Sequence, residues 1–183
     1  VENKNMILPI VPYGHSILRK PSRPVPAQWP ELPALLKDMW DTLDHAGGAG
    51  LAAVQVNIDL RIFIVDTGAD SVPPIKKAFI NPEIVWHSAH QEFDEEGCLS
   101  IPGLQVEVPR AAAVRLRYLN EQFVQEEEYF EGIAARIIQH EFDHTQGRLY
   151  LDRLKPLQVQ MLRSRLERIR KGKLSCAYPL LEN

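Results

Sequence analysis

The sequence predicts an α+β fold, and three observations carry the prediction. Short β-prone runs recur through the first two thirds of the chain, helical periodicities stand apart from them, and the two never alternate in the strand–helix–strand rhythm of a parallel sheet. With 183 residues, 45% of them hydrophobic, the chain has enough apolar material for one globular core, and neither an internal repeat nor a boundary divides it. A single domain over residues 1–183 is expected, with Val1–Asn5 reading as a remnant of expression and Met6 as the natural start.

In chain order, residues 6–11 are apolar and β-prone, and Pro12-Tyr13-Gly14 makes a turn. Pro21, Pro24, Pro26 and Pro30 keep the next stretch extended, because the residue before each proline is pushed out of the helical region. Leu32, Leu35, Leu36, Met39, Trp40 and Leu43 then share one face of a helix, with Pro33 in its first turn and Gly47-Gly48 at its end. Strands are expected at Arg61–Val65, Ala78–Ile80 and Glu83–Trp86, with a surface loop at Ser71–Pro74. Val106–Val108, Val114–Leu119 and Val124–Phe130 predict antiparallel strands, with a turn at Asn120-Glu121. A helix through residues 133–144 stops at Gly147. Pro156 opens a C-terminal helix, expected over 156–173, whose Leu162, Leu166 and Ile169 form an apolar stripe.

Charge and composition narrow the function. The chain carries −3, yet residues 163–173 set six basic residues against Glu167 alone, a local +5 that leaves about −8 for the remainder. Such a run is most simply a solvated helix face, and the molecule as a whole is no obvious nucleic-acid binder. No apolar run is long enough to span a bilayer, and no signal-peptide pattern opens the chain. Cys98 and Cys176 are too few for a disulfide framework, which points to a reducing, intracellular compartment.

The densest chemistry lies in His140-Glu141-Phe142-Asp143-His144. Histidines four apart on a helix share a face and can meet on one metal ion, and the glutamate between them leans toward the same side, close enough to handle protons without being a ligand. Ile133, Ile137, His140 and His144 continue that face, while Arg136, Gln139 and Asp143 mark a polar one. The spacing also suits two core histidines bonded to backbone groups, so a metal site needs a third ligand. Glu167 follows on a helix but sits among arginines. Gly147 fits the longer H-E-x-x-H-x-x-G-x-x-H pattern, yet Tyr150 stands where its last histidine belongs. His87 and His90 suit solvent as readily as a metal. Cys98, between Gly97 and a turn punctuated by Pro102 and Gly103, offers a thiolate suited to zinc or ferrous iron. Far upstream, Gly48-Ala49-Gly50 lets another backbone approach closely and leads on to the Gln55 amide.

Gly48–Gln55, Glu96–Ser100 and Gln139–His144, in that order and spacing, resemble the three signature motifs of peptide deformylases. The likeness runs from Met6-Ile7-Leu8-Pro9-Ile10 through the final helix, as in the bacterial class that retains a C-terminal helix. The resemblance implies antiparallel β-sheets packed around a central helix carrying the H-E-x-x-H motif. It implies a hydrolase that removes the N-formyl group from the N-terminal formylmethionine of nascent peptides and releases formate. Cys98, His140 and His144 would hold one divalent metal ion, Fe²⁺ in the cell, with Zn²⁺, Ni²⁺ or Co²⁺ also accepted. Hydroxide formed at the metal would attack the formyl carbon, with Glu141 as general base and then acid, and with Gln55 and the Leu99 N–H facing the developing oxyanion.

For the substrate, Gly48, Ala49 and Gly50 would offer a strand edge to the peptide, and Ile133 and Ile137 an apolar pocket for its first side chain. Glu96 and Gly97 would add further substrate contacts. Two positions depart from the family: Val54 stands where proline is common, and Gln105 where many members have an arginine near the substrate backbone. A cytoplasmic enzyme with no membrane or DNA partner is implied, with the basic C-terminal helix as a contact for the ribosome. Two other classes stay open at this point: a metallopeptidase acting on unformylated peptides, against which Cys98 and Gln55 argue, and a catalytically silent metal- or ribosome-binding module.

Overall fold

A computed structural model describes residues 6–182; the expectation about Val1–Asn5 lies outside them. The elements are α1 (Leu32–Ala46), β1 (Gly50–Ala52), β2 (Ile62–Asp66), β3 (Lys76–His87), β4 (Gln91–Cys98), β5 (Ile101–Ala111), β6 (Ala113–Leu119), β7 (Gln125–Glu131), α2 (Gly132–Thr145) and α3 (Pro156–Arg170), with short 3-10 turns between several of them. β1-β2-β3-β6-β7 form one antiparallel sheet, and β4-β5 form a separate hairpin. This is the α+β class that strand runs without helical alternation predict. Among the described residues no helix is long and apolar enough to cross a membrane.

The core divides along β2. Its alternate residues point to opposite faces: Ile62 and Ile64 pack with Leu32, Leu36, Met39 and Leu43 of α1, whereas Phe63 and Val65 pack with Ala134, Ala135 and Ile138 of α2. A strand covered on both sides reads as an unbroken apolar run, which is why Ile62–Val65 shows no alternation. The α2 cluster also takes in Ile101, Leu104 and Val108 of the hairpin, so α2 lies between the main sheet and the hairpin.

That placement corrects one expectation. Arg136, Gln139 and Asp143 are no solvent face; they are 7%, 5% and 4% exposed. Three further differences are local. The two runs expected at 78–80 and 83–86 are one strand, β3, which continues through Asn81 and Pro82 by a register shift. Asn81 takes a positive φ of 50° and its side-chain amide exchanges two hydrogen bonds with the Val25 backbone, replacing ladder bonds that proline cannot make. β4, acidic and mostly exposed, has no apolar alternation to betray it and is held by its pairing to β5. α3 stops at Arg170 rather than 173, because Gly172 turns left-handed (φ 64°) and the Lys171, Gly172 and Lys173 N–H groups cap the last carbonyls.

Candidate active site

α2 brings His140 and His144 to one side, and the β4–β5 turn brings Cys98 to meet them. One ligand atom from each of the three lies within 4.8 Å of the others, and the Cys98 Sγ is 3.4 Å from the His144 Nε2. Cys98 ends β4 opposite Ile101, so the turn between them is only Leu99-Ser100. The other proposed ligands do not reach this group: His87 and His90 are exposed on and after β3, and Glu167 pairs with Arg170 on α3. Tyr150, standing where a third histidine would belong, instead stacks on the His140 ring with centroids 5.8 Å apart and donates its hydroxyl to the Leu104 carbonyl at 2.9 Å.

Behind the ligand group sits a buried ionic network. Glu96 accepts two bonds from one edge of the Arg110 guanidinium, Nε at 2.5 Å and Nη2 at 2.8 Å, and one from Arg136 (2.8 Å), and it faces the His140 Nδ1 at 2.9 Å. Arg110 also donates to Asp143 (2.7 Å), which accepts two bonds from Arg153. Burial works against the Glu96 charge, yet the contacts with His140 and Arg110 outweigh it and hold the carboxyl down at about 2. Glu96 was expected to contact substrate. It borders the cavity, but both its oxygens are spoken for, so its geometry is that of a partner orienting His140.

The two imidazoles sit in opposed surroundings. Burial pushes the His140 imidazole down, but Cys98, Glu96 and Glu141 outweigh it and lift it to about 10. His144, by contrast, is driven well below its ordinary value by burial and by the neighbouring His140 and Arg110 charges, and its buried Nδ1 has no hydrogen-bond partner. A soft thiolate and two imidazoles, one of them backed by a carboxylate, form a donor set that suits a borderline divalent metal. Cys98, His140 and His144 therefore fit the ion that the family implies.

Glu141 lies beside them, 3% exposed, with Oε2 unpartnered. Burial is the main cause of its rise to about 7, partly opposed by His140 and Arg110. Gly50 explains how it fits: a Cβ there would come within 2.5 Å of the Glu141 Oε1, so only glycine lets β1 pass so close. Gln55 is fixed from both ends. Its Oε1 accepts from the Ala52 N–H (2.8 Å), which leaves Nε2 to face the Ser100 hydroxyl (3.2 Å) and the Cys98 Sγ (3.5 Å). A cavity of about 670 Å³ opens over this group, and its wall includes Gly48, Ala49, Gly50, Gly97, Leu99, Gln105, Ile133 and Ile137. All the residues expected from the sequence at the site thus border one cavity or, like His144, lie just behind it.

The sequence reading missed Arg110 and Tyr178. Arg110 had a signal: Leu104, Val106, Val108 and Arg110 share the inward face of β5, and an arginine ending an apolar alternation needs a buried acid. Tyr178 had none, since the C-terminal tail meets the site only through the folded chain.

Fold and site together define a small α+β protein built on an H-E-x-x-H helix, with a converging Cys/His triad beside a buried carboxyl and an aimed amide; that is the class of a metal-dependent hydrolase. The chain belongs to the polypeptide deformylase family, whose model matches residues 7–160. It is 39% identical to the peptide deformylase of Cytophaga hutchinsonii over 176 residues, covering 94% of this chain and 96% of that protein. Among solved structures it is similar to a peptide deformylase from Legionella pneumophila, with a TM-score of 0.82 and 36% identity over 91% of this chain and 97% of the other. It is also similar to a Met-Ala-Ser-bound class I type b peptide deformylase from Acinetobacter baumannii, with a TM-score of 0.76 and 35% identity over 82% and 99%.

Proposed function

We propose that the chain removes the formyl group from N-formylated nascent peptides, using Cys98, His140 and His144 to hold a divalent metal, Glu141 to carry the proton, and Gln55 with the Leu99 N–H to face the oxyanion. The observation that carries this reading is the convergence of all three ligand atoms beside a buried carboxyl and an amide whose orientation is already fixed. When bound, the metal supplies Lewis acidity, lowering the pKa of water and polarising a carbonyl. Fe²⁺ is the ion proposed in the cell, and the same donors accept Zn²⁺, Ni²⁺ or Co²⁺.

Glu141 takes a proton from the attacking water and returns it to the amine as the formyl C–N bond breaks and formate leaves. Negative charge gathers on the formyl oxygen before that break. Neutral donors fixed in advance stabilise it without reorganising, which is what the pinned Gln55 amide offers. The peptide lies along Gly48–Gly50, because β1 is the outermost strand of its sheet and has an edge to offer. Ile133, 52% exposed on the cavity wall, and Ile137 receive the first side chain, methionine by resemblance. Exposed basic residues of α3, with Leu157 and Met161 beside them, are the proposed contact with the ribosome, and encounter with nascent chains places the enzyme in the cytoplasm.

Formate release from formyl-Met-Ala-Ser by anaerobically purified protein, with elemental analysis of the same sample, tests the reading. Formate with about one metal per chain is expected. Cleavage of a peptide bond without formate would replace it by a metallopeptidase, and inertness with iron, nickel and zinc alike by a silent module.

A further inference from the structure

The tail that follows α3 lies outside the matched residues 7–160, and it reaches both groups proposed to face the oxyanion, Leu99 directly and Gln55 through the N-terminal segment. That tail returns to the N-terminal segment, where the Ile10 N–H donates to the Pro179 carbonyl (2.9 Å) and the Leu181 N–H donates to the Ile10 carbonyl (2.8 Å). The N-terminal segment then reaches the site. The Val11 N–H donates to the Gln55 carbonyl (2.8 Å), and the Tyr13 N–H donates to the Ser100 carbonyl (2.8 Å). Tyr178 itself, half-buried on the cavity wall, donates its hydroxyl to the Leu99 carbonyl at 2.8 Å. The Ser100 hydroxyl closes the lacing by accepting from the Gln55 Nε2.

We propose that Tyr178 is a positioning residue for the deformylation reaction, its hydroxyl fixing the Leu99-Ser100 turn so that the Leu99 N–H holds the direction the oxyanion needs. The Leu99 N–H sits in the peptide joining Cys98 to Leu99, between the paired end of β4 and two following peptides whose carbonyls are each tied by a separate donor: Tyr178 on Leu99 and Tyr13 on Ser100. Freeing the Leu99 carbonyl would let the turn rotate about the Leu99 Cα and carry the preceding N–H with it, and a donor that must reorganise during the reaction loses most of its value. The proposal rests on the deformylase reading above. It gives the C-terminal tail a role in catalysis that no motif carries.

Tyr178→Phe deletes one oxygen and keeps the ring, so packing is retained. For formyl-Met-Ala-Ser, kcat is expected to fall about three- to tenfold, the effect of one neutral hydrogen bond, with KM unchanged. Amide hydrogen exchange in residues 98–101 is expected to quicken by a similar factor, while exchange in β6 stays as it was. Unchanged kcat and exchange would overturn the proposal. So would a raised KM at constant kcat, which would make Tyr178 only a wall of the cavity, and so would a loss of rate fully accounted for by a smaller folded fraction in a melting curve. Should the wild-type protein release no formate, the deformylase reading falls on its own, and the exchange comparison still decides whether Tyr178 holds the turn.

Discussion

Two helices of nearly equal length both carry charged side chains, and they use them in opposite ways. α2 has Arg136, Glu141 and Asp143 on faces that are all buried, because the main sheet covers one side and the hairpin the other. α3 buries only Leu166 and Ile169, and leaves Arg163 and Arg168 in water. In α2 Arg136 and Asp143 must find partners in a low-dielectric surround, and the network they join through Glu96 and Arg110 fixes where His140 stands. In α3 the same residue types are screened by solvent and constrain little. Charge content alone therefore says nothing about a site; enclosure decides.

Removing a charge from the enclosed network should produce the largest effect in the molecule. Arg110 is fully buried between Glu96 and Asp143. Arg110→Met keeps the volume but leaves two carboxylates with fewer donors, Glu96 with Arg136 and His140 and Asp143 with Arg153. A loss of about 3–5 kcal/mol in urea unfolding is expected, since breaking a buried pair strands its partner. A loss below about 1 kcal/mol would mean that the network behaves like the surface pairs of α3, and the contrast between the helices would fail.

Next in size is the effect on chemistry rather than stability. Glu141 makes no hydrogen bond through Oε2, so its side chain contributes nothing to the network that Glu96 and Asp143 build. Glu141→Ala should keep the fold and the metal content and lose at least about a hundredfold in formate release, as removal of a general base does. Normal turnover in that variant would refute its role. Loss of metal along with activity would show instead that Glu141 belongs to the ligand shell.

The sequence made the chemistry of α2 more legible than its surroundings. His140, Glu141 and His144 are separated by local helical spacing, so one period places them. Cys98 and Gln55 came through motif order, and β2 through its unbroken apolar run. The ionic partners of Glu96 were not legible, because Arg110 and Arg136 come from a different strand and a helix far along the chain. The burial of the polar face marked by Arg136, Gln139 and Asp143 was not legible because periodicity sees one helix at a time, whereas that burial comes from a hairpin whose β4 strand carries almost no apolar signal. β3 was split in two because Asn81-Pro82 looks like a break, and only the Val25 backbone across the sheet repairs it. Tertiary pairing is what local reading lacks.

The smallest expected effect belongs to α3, and it sharpens the contrast from the other side. Arg165 donates to the Gly103 carbonyl, and the Arg170 stem lies over Gly14 while its guanidinium pairs with Glu167, so these two are part of the fold. Arg163, Arg168 and Lys173 are exposed. Changing those three together to glutamine should leave the melting temperature within about 2 °C and formate release from a tripeptide unchanged, as surface substitutions do. Co-sedimentation with ribosomes at low salt should weaken, and its dependence on salt should flatten, because fewer basic groups release counterions. A fall in melting temperature of more than about 5 °C would make the charges of α3 structural, like those of α2. Sedimentation that ignores salt in the unaltered protein would remove the charge-driven contact altogether. With the cavity formed by β1, the hairpin turn and α2, the expected result would separate the exposed charges of α3 from the chemistry and leave the proposed ribosome contact as the property they alter.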